Sequence, residues 1–291
     1  MLFSYSWLKE YTKGKLPNPK DLADLITMHA FQVEELKKRG KDWLLDIDIL
    51  PNRAHDCFSY LGIAREVSGI TNLKFFPPDF KVKEDKKLKN SKFLDVEVKD
   101  KKTCLRYTAR MIKGVKIAQS PKNIQERLKL MGLQPINNVV DIMNYVMLET
   151  GQPLHAFDFD KLSGFENKKK IIIRKAEIGE KIEALDDKKY NLDPEILIIA
   201  DEKNPLAIAG IKGGKRAEIS NTTKNIIIES ANFESKSIRK TRQKINLITD
   251  ASLRFEHEPD PNLTILAINR AASLVQKICG GSILKEAIDV F

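Results

Sequence analysis

Four short runs, Ile171-Ile172-Ile173-Arg174, Tyr190–Leu192, Ile196–Ala200 and Ile226-Ile227-Ile228-Glu229, limit the possible folds of this chain more than any other feature. They are short, mostly β-branched and separated by turn residues, so each reads as a strand. Around them lie stretches with apolar residues three and four apart: Pro121–Met131 ending at Gly132, Val139–Leu148, Ser235–Gln243, and Leu263–Cys279 closed by Gly280-Gly281. These read as helices. Strands and helices do not alternate one for one, so the predicted class is α+β and not a doubly wound parallel sheet.

The predicted organisation has a small N-terminal α/β unit over 1–75, a linker over 76–92 and a larger mixed domain over 93–291. In the first unit, Asn18-Pro19 starts a helix, and Phe31–Leu36 and Trp43–Leu50 alternate as two strands about a turn at Gly40. Ser59–Ile70 reads as a helix closed by Gly69. The linker is placed where Phe76-Pro77-Pro78-Asp79 runs into a lysine-rich stretch of low apolar content.

With 291 residues, 42% of them hydrophobic, the chain can bury a substantial core. Fifty Lys and Arg against forty Asp and Glu give a net charge of +10, which suits a polyanionic partner and equally a solvated lysine-rich surface. No apolar run approaches the roughly 20 residues that cross a bilayer, and the first residues lack a signal-peptide core, so a cytoplasmic location with no membrane partner is expected. Cys57, Cys104 and Cys279 lie far apart, and no metal-ligand set assembles by spacing, so no metal is expected.

The densest polar constellation joins Asn144, near the end of an apolar helix, to His155 in the turn Gly151-Gln152-Pro153-Leu154-His155. An imidazole there can orient or deprotonate a water; it can equally bond the backbone of its own turn. Ala207–Lys215 contains Gly210, Gly213 and Gly214 beside two lysines. It lacks both the Walker and the dinucleotide spacings, and reads as a close backbone approach to a ligand or as a tight hairpin. Glu229 ends an isoleucine run, where a carboxylate is costly unless it is paired or functional. Thr249 and Ala251 either wall a pocket or begin a helix. No nucleophile elbow or Cys–His pair is present, which leaves a water-based hydrolase as the enzyme reading.

The strings LDIDILPNRAHDCFSYLGIAREV, NNVVDIMNYVMLETGQPLHAFDFDKL, AIAGIKGGKRAEIS, IIIESANF and TDASLRFE, in that order, closely resemble the N-terminal portion of the bacterial phenylalanyl-tRNA synthetase beta subunit. The resemblance implies an editing module that hydrolyses tyrosine wrongly attached to phenylalanine tRNA. On this basis His155 and Asn144 position the water, Glu229 and the backbone at Gly213 recognise the tyrosine hydroxyl, and Thr249 and Ala251 wall the pocket. It also implies tRNA and an alpha subunit as partners, in an alpha2beta2 complex. No cofactor is expected in this chain, with ATP and Mg2+ at the alpha-subunit site. Two further outcomes are a tRNA-binding or structural module with a decayed editing site, and a free-standing trans-editing factor.

Three departures from the family stand out. The OB-type insertion between Leu36 and Asp46 is missing. Met143 stands where a threonine is common, and His257-Glu258-Pro259 replaces Arg-Gly-Val. Family members also continue into further domains beyond the position of Phe291, so a fragment or shortened beta subunit is expected.

Overall fold

The computed structural model describes residues 1–164 and 168–291. Its centre is the strand Asn225–Phe233, buried on both faces, which explains why Ile226-Ile227-Ile228 is continuously apolar where a half-exposed strand would alternate. Antiparallel neighbours flank it: Cys104–Lys113 on one side and the edge strand Leu154–Asp158 on the other. Ser282–Lys285 and then Glu84–Lys89 extend the sheet beyond Cys104–Lys113, against which Ile288–Val290 also pairs.

Side-chain alternation along the central strand separates two cores. Ile226 and Ile228 face the first, shared with the helices Asn138–Thr150 and Leu263–Cys279 and with the N-terminal residues Phe3, Trp7 and Tyr60. Ile227, Ala231 and Phe233 face the second. That core is closed by a five-stranded sheet ordered Lys212–Gly213, Pro205–Ile208, Leu197–Ala200, Lys169–Lys175 and Leu94–Val98. The class is α+β, as the sequence predicts.

Several boundaries differ from expectation. The lysine-rich stretch within 76–92 holds the strand Glu84–Lys89, which pairs in parallel with Ser282–Lys285. Charged residues are what an exposed sheet edge carries to discourage further pairing, so the lysines mark an edge. The helix begun by Ser59 runs Tyr60–Thr71 through Gly69 and stops at Asn72, whose φ of 55° closes it in the left-handed region. Glu258, standing where the resemblance has glycine, also takes a left-handed φ of 55°. The backbone there keeps the shape a glycine favours, and the Ser235 hydroxyl donates to the Glu258 carboxylate at 2.7 Å.

No single core belongs to residues 1–75 alone, because the N-terminal unit is tied to the helices by a buried carboxylate. Glu149, fully buried on Asn138–Thr150, accepts two bonds from Arg270 of the long helix, at 2.8 and 2.9 Å. It also accepts the Tyr11 hydroxyl at 2.7 Å, and Tyr11 in turn accepts the Trp7 indole N–H at 2.8 Å. Burial, with the Glu149 carboxylate adding to it, drives the Tyr11 phenol far above its ordinary range and keeps it a donor. Trp7 stacks between Tyr60 and Tyr145, at 3.8 and 4.8 Å between centroids.

Removing one member of such a pair leaves a bare buried charge, which typically costs about 3–5 kcal/mol. Arg270→Met should lower unfolding stability by about that much in urea titrations with an unchanged m-value. The double variant Glu149→Met with Arg270→Met should recover a large part of the loss. Equal stability of single and double variants would show that Glu149 is not held as a carboxylate by Arg270.

Candidate functional site

The two cores leave one polar place on the second face of the central strand. Glu229 sits in the middle of Asn225–Phe233, not at its end, because Ser230, Ala231 and Asn232 stay hydrogen-bonded to the neighbouring strands. His155 is not in a turn but in the edge strand Leu154–Asp158, directly opposite Glu229 in the antiparallel register. Opposed residues share a face, so the imidazole and the carboxyl lie side by side. The turn before His155 is pinned from behind by Gln152, whose amide donates to the carbonyls of Ala231 at 2.7 Å and Pro153 at 3.0 Å.

The expected tight hairpin is present. Pro205–Ile208 pairs with Lys212–Gly213, with Ala207 opposite Gly213, and the connecting turn needs Gly210 at φ +68°. Gly213 has no room for a side chain: a Cβ there would lie 2.6 Å from His155 Cε1 and 2.9 Å from its Nε2. The imidazole therefore rests on bare backbone and meets Phe157 edge-on at 4.6 Å between centroids.

A cavity of about 80 Å³ is lined by Glu229, His155, Gly213, Ala207, Ala251 and Phe255. Ala251 and Phe255 project from the helix Asp250–Glu256. Thr249 does not line this cavity. It caps that helix, accepting the Ser252 N–H at 3.1 Å, and its hydroxyl donates to the Ile211 carbonyl at 3.1 Å, which fastens the hairpin turn to the helix. Asn144, in the middle of Asn138–Thr150 and not near its end, lines a second cavity of about 230 Å³ with Met143, Leu185 and Glu218. Leu154 and His155 wall both cavities.

Tyr107 is a member of the site that sequence reading does not single out. Its hydroxyl donates to Glu229 Oε2 at 3.1 Å from a fully buried position. The alternation in Tyr107–Ile112 signals a strand and a face, but nothing in the chain announces that this face meets Glu229 across 122 residues. Elsewhere, the grouping of Asp56, Cys57 and Glu66 brings three potential ligand atoms together, but Arg53 sits across both carboxylates at 2.9 and 2.7 Å and supplies their counter-charge.

Burial sets both titrating groups. It raises the Glu229 carboxyl from its ordinary 4.5 to about 8, with the Tyr107 hydroxyl pulling the other way. It also lowers His155 from 6.5 to about 4. At neutral pH the site thus presents an uncharged imidazole beside a largely protonated carboxyl that can both donate and accept. An imidazole of such low basicity is better suited to orienting a water than to removing its proton.

Residues 103–280 match the model of the B3/4 domain, and the chain belongs to that family. At 45% identity over 276 residues, the chain is similar to the phenylalanine–tRNA ligase beta subunit of Protochlamydia amoebophila, the match covering 94% of this chain and 34% of that protein. The beta subunits of Clostridium acetobutylicum, at 46% identity over 85% of this chain and 31% of the relative, and of Moorella thermoacetica, at 44% over 95% and 34%, are similarly related. The resemblance carried by the ordered strings is therefore borne out. The chain spans about a third of the length of these relatives. No helix among the described residues is long and apolar enough to cross a membrane.

Two outcomes follow from this geometry. Gly213→Ala should displace the imidazole, read by NMR as shifted His155 ring resonances and a pKa moving up toward 6.5; an unmoved ring would contradict the close approach. The raised Glu229 pKa favours the fold below about pH 4.5, and that contribution is lost as pH rises through about 8. The lowered His155 pKa acts oppositely, its contribution being complete above 6.5 and lost as pH falls through about 4. Glu229→Gln should therefore match the parent near pH 4 and exceed its stability above pH 8 by up to a few kcal/mol in urea titrations. A stability difference independent of pH would refute the assignment.

Proposed function

We propose that this chain is the editing part of a phenylalanine–tRNA ligase beta subunit and hydrolyses tyrosine wrongly esterified to phenylalanine tRNA. The observation that supports this most is the opposed pair His155 and Glu229 on one wall of a small pocket, with a second cavity across the same imidazole. The tyrosine side chain enters the cavity under Glu229. Its hydroxyl meets the neutral carboxyl, which also holds Tyr107. Phenylalanine would leave that buried polar group without its partner, and sites of this kind reject the analogue lacking the hydroxyl by roughly 10⁴-fold or more.

The ester then lies at the imidazole, with the tRNA end toward Asn144. His155 and Asn144 hold a water whose oxygen attacks the ester carbonyl. The carbonyl–ribose oxygen bond breaks, the ribose oxygen takes a proton, and tyrosine and free tRNA leave. Thr249, proposed from the sequence as a pocket wall, acts through the hairpin turn it fastens. Ala251 and Gly213 shape the cavity and the seat of the imidazole.

In the complete complex the partners on this reading are tRNA and the alpha subunit, in an alpha2beta2 assembly that carries out aminoacylation in the cytoplasm. ATP and Mg2+ belong to the alpha subunit. The glycines of Ala207–Lys215 make a hairpin whose backbone at Gly213 lies against His155.

With tyrosyl- and phenylalanyl-tRNA as paired substrates, the chain should hydrolyse the tyrosyl ester selectively. His155→Ala should slow the reaction by about 10²-fold or more. Glu229→Ala should lose discrimination between the two esters more than it loses rate. Unselective hydrolysis by the parent chain, or an unchanged rate in His155→Ala, would sink this reading.

A further inference from the structure

The helix Ser235–Ile245 carries Lys236, Arg239, Lys240, Arg242 and Lys244 and no acidic residue, in a chain where Lys plus Arg exceed Asp plus Glu only by 50 to 40. Its inner face is apolar and close to the site: Ile238 is buried, and its Cδ1 lies 2.6 Å from where a Cβ on Gly210 would stand. Two of the five cations are neutralised locally, Arg242 by Glu256 and Lys244 by Asp193 at 2.5 Å. Lys236, Arg239 and Lys240 are exposed and have no ion-pair partner among the described residues.

Lys236 and Lys240 line a groove of about 410 Å³ whose walls also include Lys175 and Lys244, and Arg239 lies on the same helix outside it. Two carboxylates also face it. Glu234 is committed to capping the helix, accepting the Ser237 N–H at 2.6 Å, and Glu195 meets Lys175 at 3.4 Å. Thr103 closes one end of the groove, and its carbonyl accepts the Glu234 N–H at 2.9 Å, so exposed Lys101 and Lys102 continue the positive surface. A helix is about 10–12 Å across, so its outer charges stand roughly that far behind the cavity wall that its inner face supports.

We propose that the outer face of Ser235–Ile245, with the groove beside it, is a phosphate-contacting surface for the double-stranded stem of an RNA whose 3′ end enters the site. The proposal rests on the editing reading for the identity of that end, but the surface itself is argued from charge and position. Unpaired cations on a rigid helix match a duplex backbone through counterion release. Their position behind the cavity wall lets one RNA reach both places. Base sequence plays no part in the contact, since lysines directed at phosphates carry no sequence information.

The test measures binding of an RNA hairpin with a single-stranded 3′ end as a function of salt, for the parent chain and for Lys236→Gln, Arg239→Gln, Lys240→Gln combined. Hydrolysis of the tyrosyl ester of adenosine, which has no stem, is followed in parallel. A control removes the same charge elsewhere: Lys37→Gln, Arg39→Gln, Lys41→Gln on the N-terminal hairpin. The helix variant should lose at least about tenfold in affinity, and its salt slope should fall by about 2 to 3. Its ester hydrolysis should equal the parent's, and the control should bind nearly as the parent does.

Equal losses in both variants would mean net charge alone is read, and no loss in the helix variant would remove the surface; either overturns the proposal. If the helix variant proves poorly folded, the charge-retaining Lys236→Arg, Lys240→Arg pair must keep parental binding and single Lys240→Glu must lose it, or the proposal falls. A parent chain that binds the hairpin but cleaves no ester would fail the editing reading while leaving the surface standing.

Discussion

Glu149 is the constraint on which the rest of the arrangement depends. A fully buried carboxylate is costly unless its lone pairs are filled, and here Arg270 and Tyr11 fill them from two directions. The N-terminal segment, the helix Asn138–Thr150 and the long helix Leu263–Cys279 are thereby held at one point. Asn144 lies five residues earlier on the same helix, and the Gly151 turn that leads to His155 begins two residues after Glu149. One charge pair thus fixes the origin of both.

The sheet supplies the other half. The central strand is packed against helices on one face and against a second sheet on the other, so the only polar side chain allowed on its inner second face has to be compensated. Glu229 is compensated partly by Tyr107 and partly by holding its proton. The environment that makes the carboxyl expensive therefore also makes it neutral, and a neutral carboxyl both donates and accepts. The same burial sets both the cost of this side chain and its protonation state.

How much of this was legible from residues alone varies by element. The isoleucine triplet announces a strand, and Leu263–Cys279 has a clean helical period with a glycine stop, so both are found. The continuation through Ser230, Ala231 and Asn232 is hidden, because those residues favour no strand and are kept in one by their neighbours. Leu154–Asp158 is masked by the punctuation of Gly151 and Pro153, although these turn the chain only before His155. The lysines of Glu84–Lys89 read as solvated linker because an edge strand and a linker share that composition. His155, Glu229, Gly213 and Ala251 do converge on one cavity, but the Tyr107 bond and the partition between two cavities are products of register. Thr249, expected at the wall, serves one step behind it.

The two sides of the small cavity differ in how much they can yield. The sheet side is built from a strand embedded in both cores, and moving it would open the interior of the whole molecule. The opposite side is a two-residue strand, Lys212–Gly213, at the margin of its sheet, held by its pairing with Pro205–Ile208, by the Leu185 N–H donated to the Gly213 carbonyl at 3.0 Å and, through the turn, by the Thr249 hydroxyl. On the proposed reading, a guest would meet a wall embedded in two cores on one side and the margin of a sheet on the other. A substitution on the strand side therefore disturbs both cores along with the cavity, whereas one on the hairpin side disturbs the margin of one sheet first.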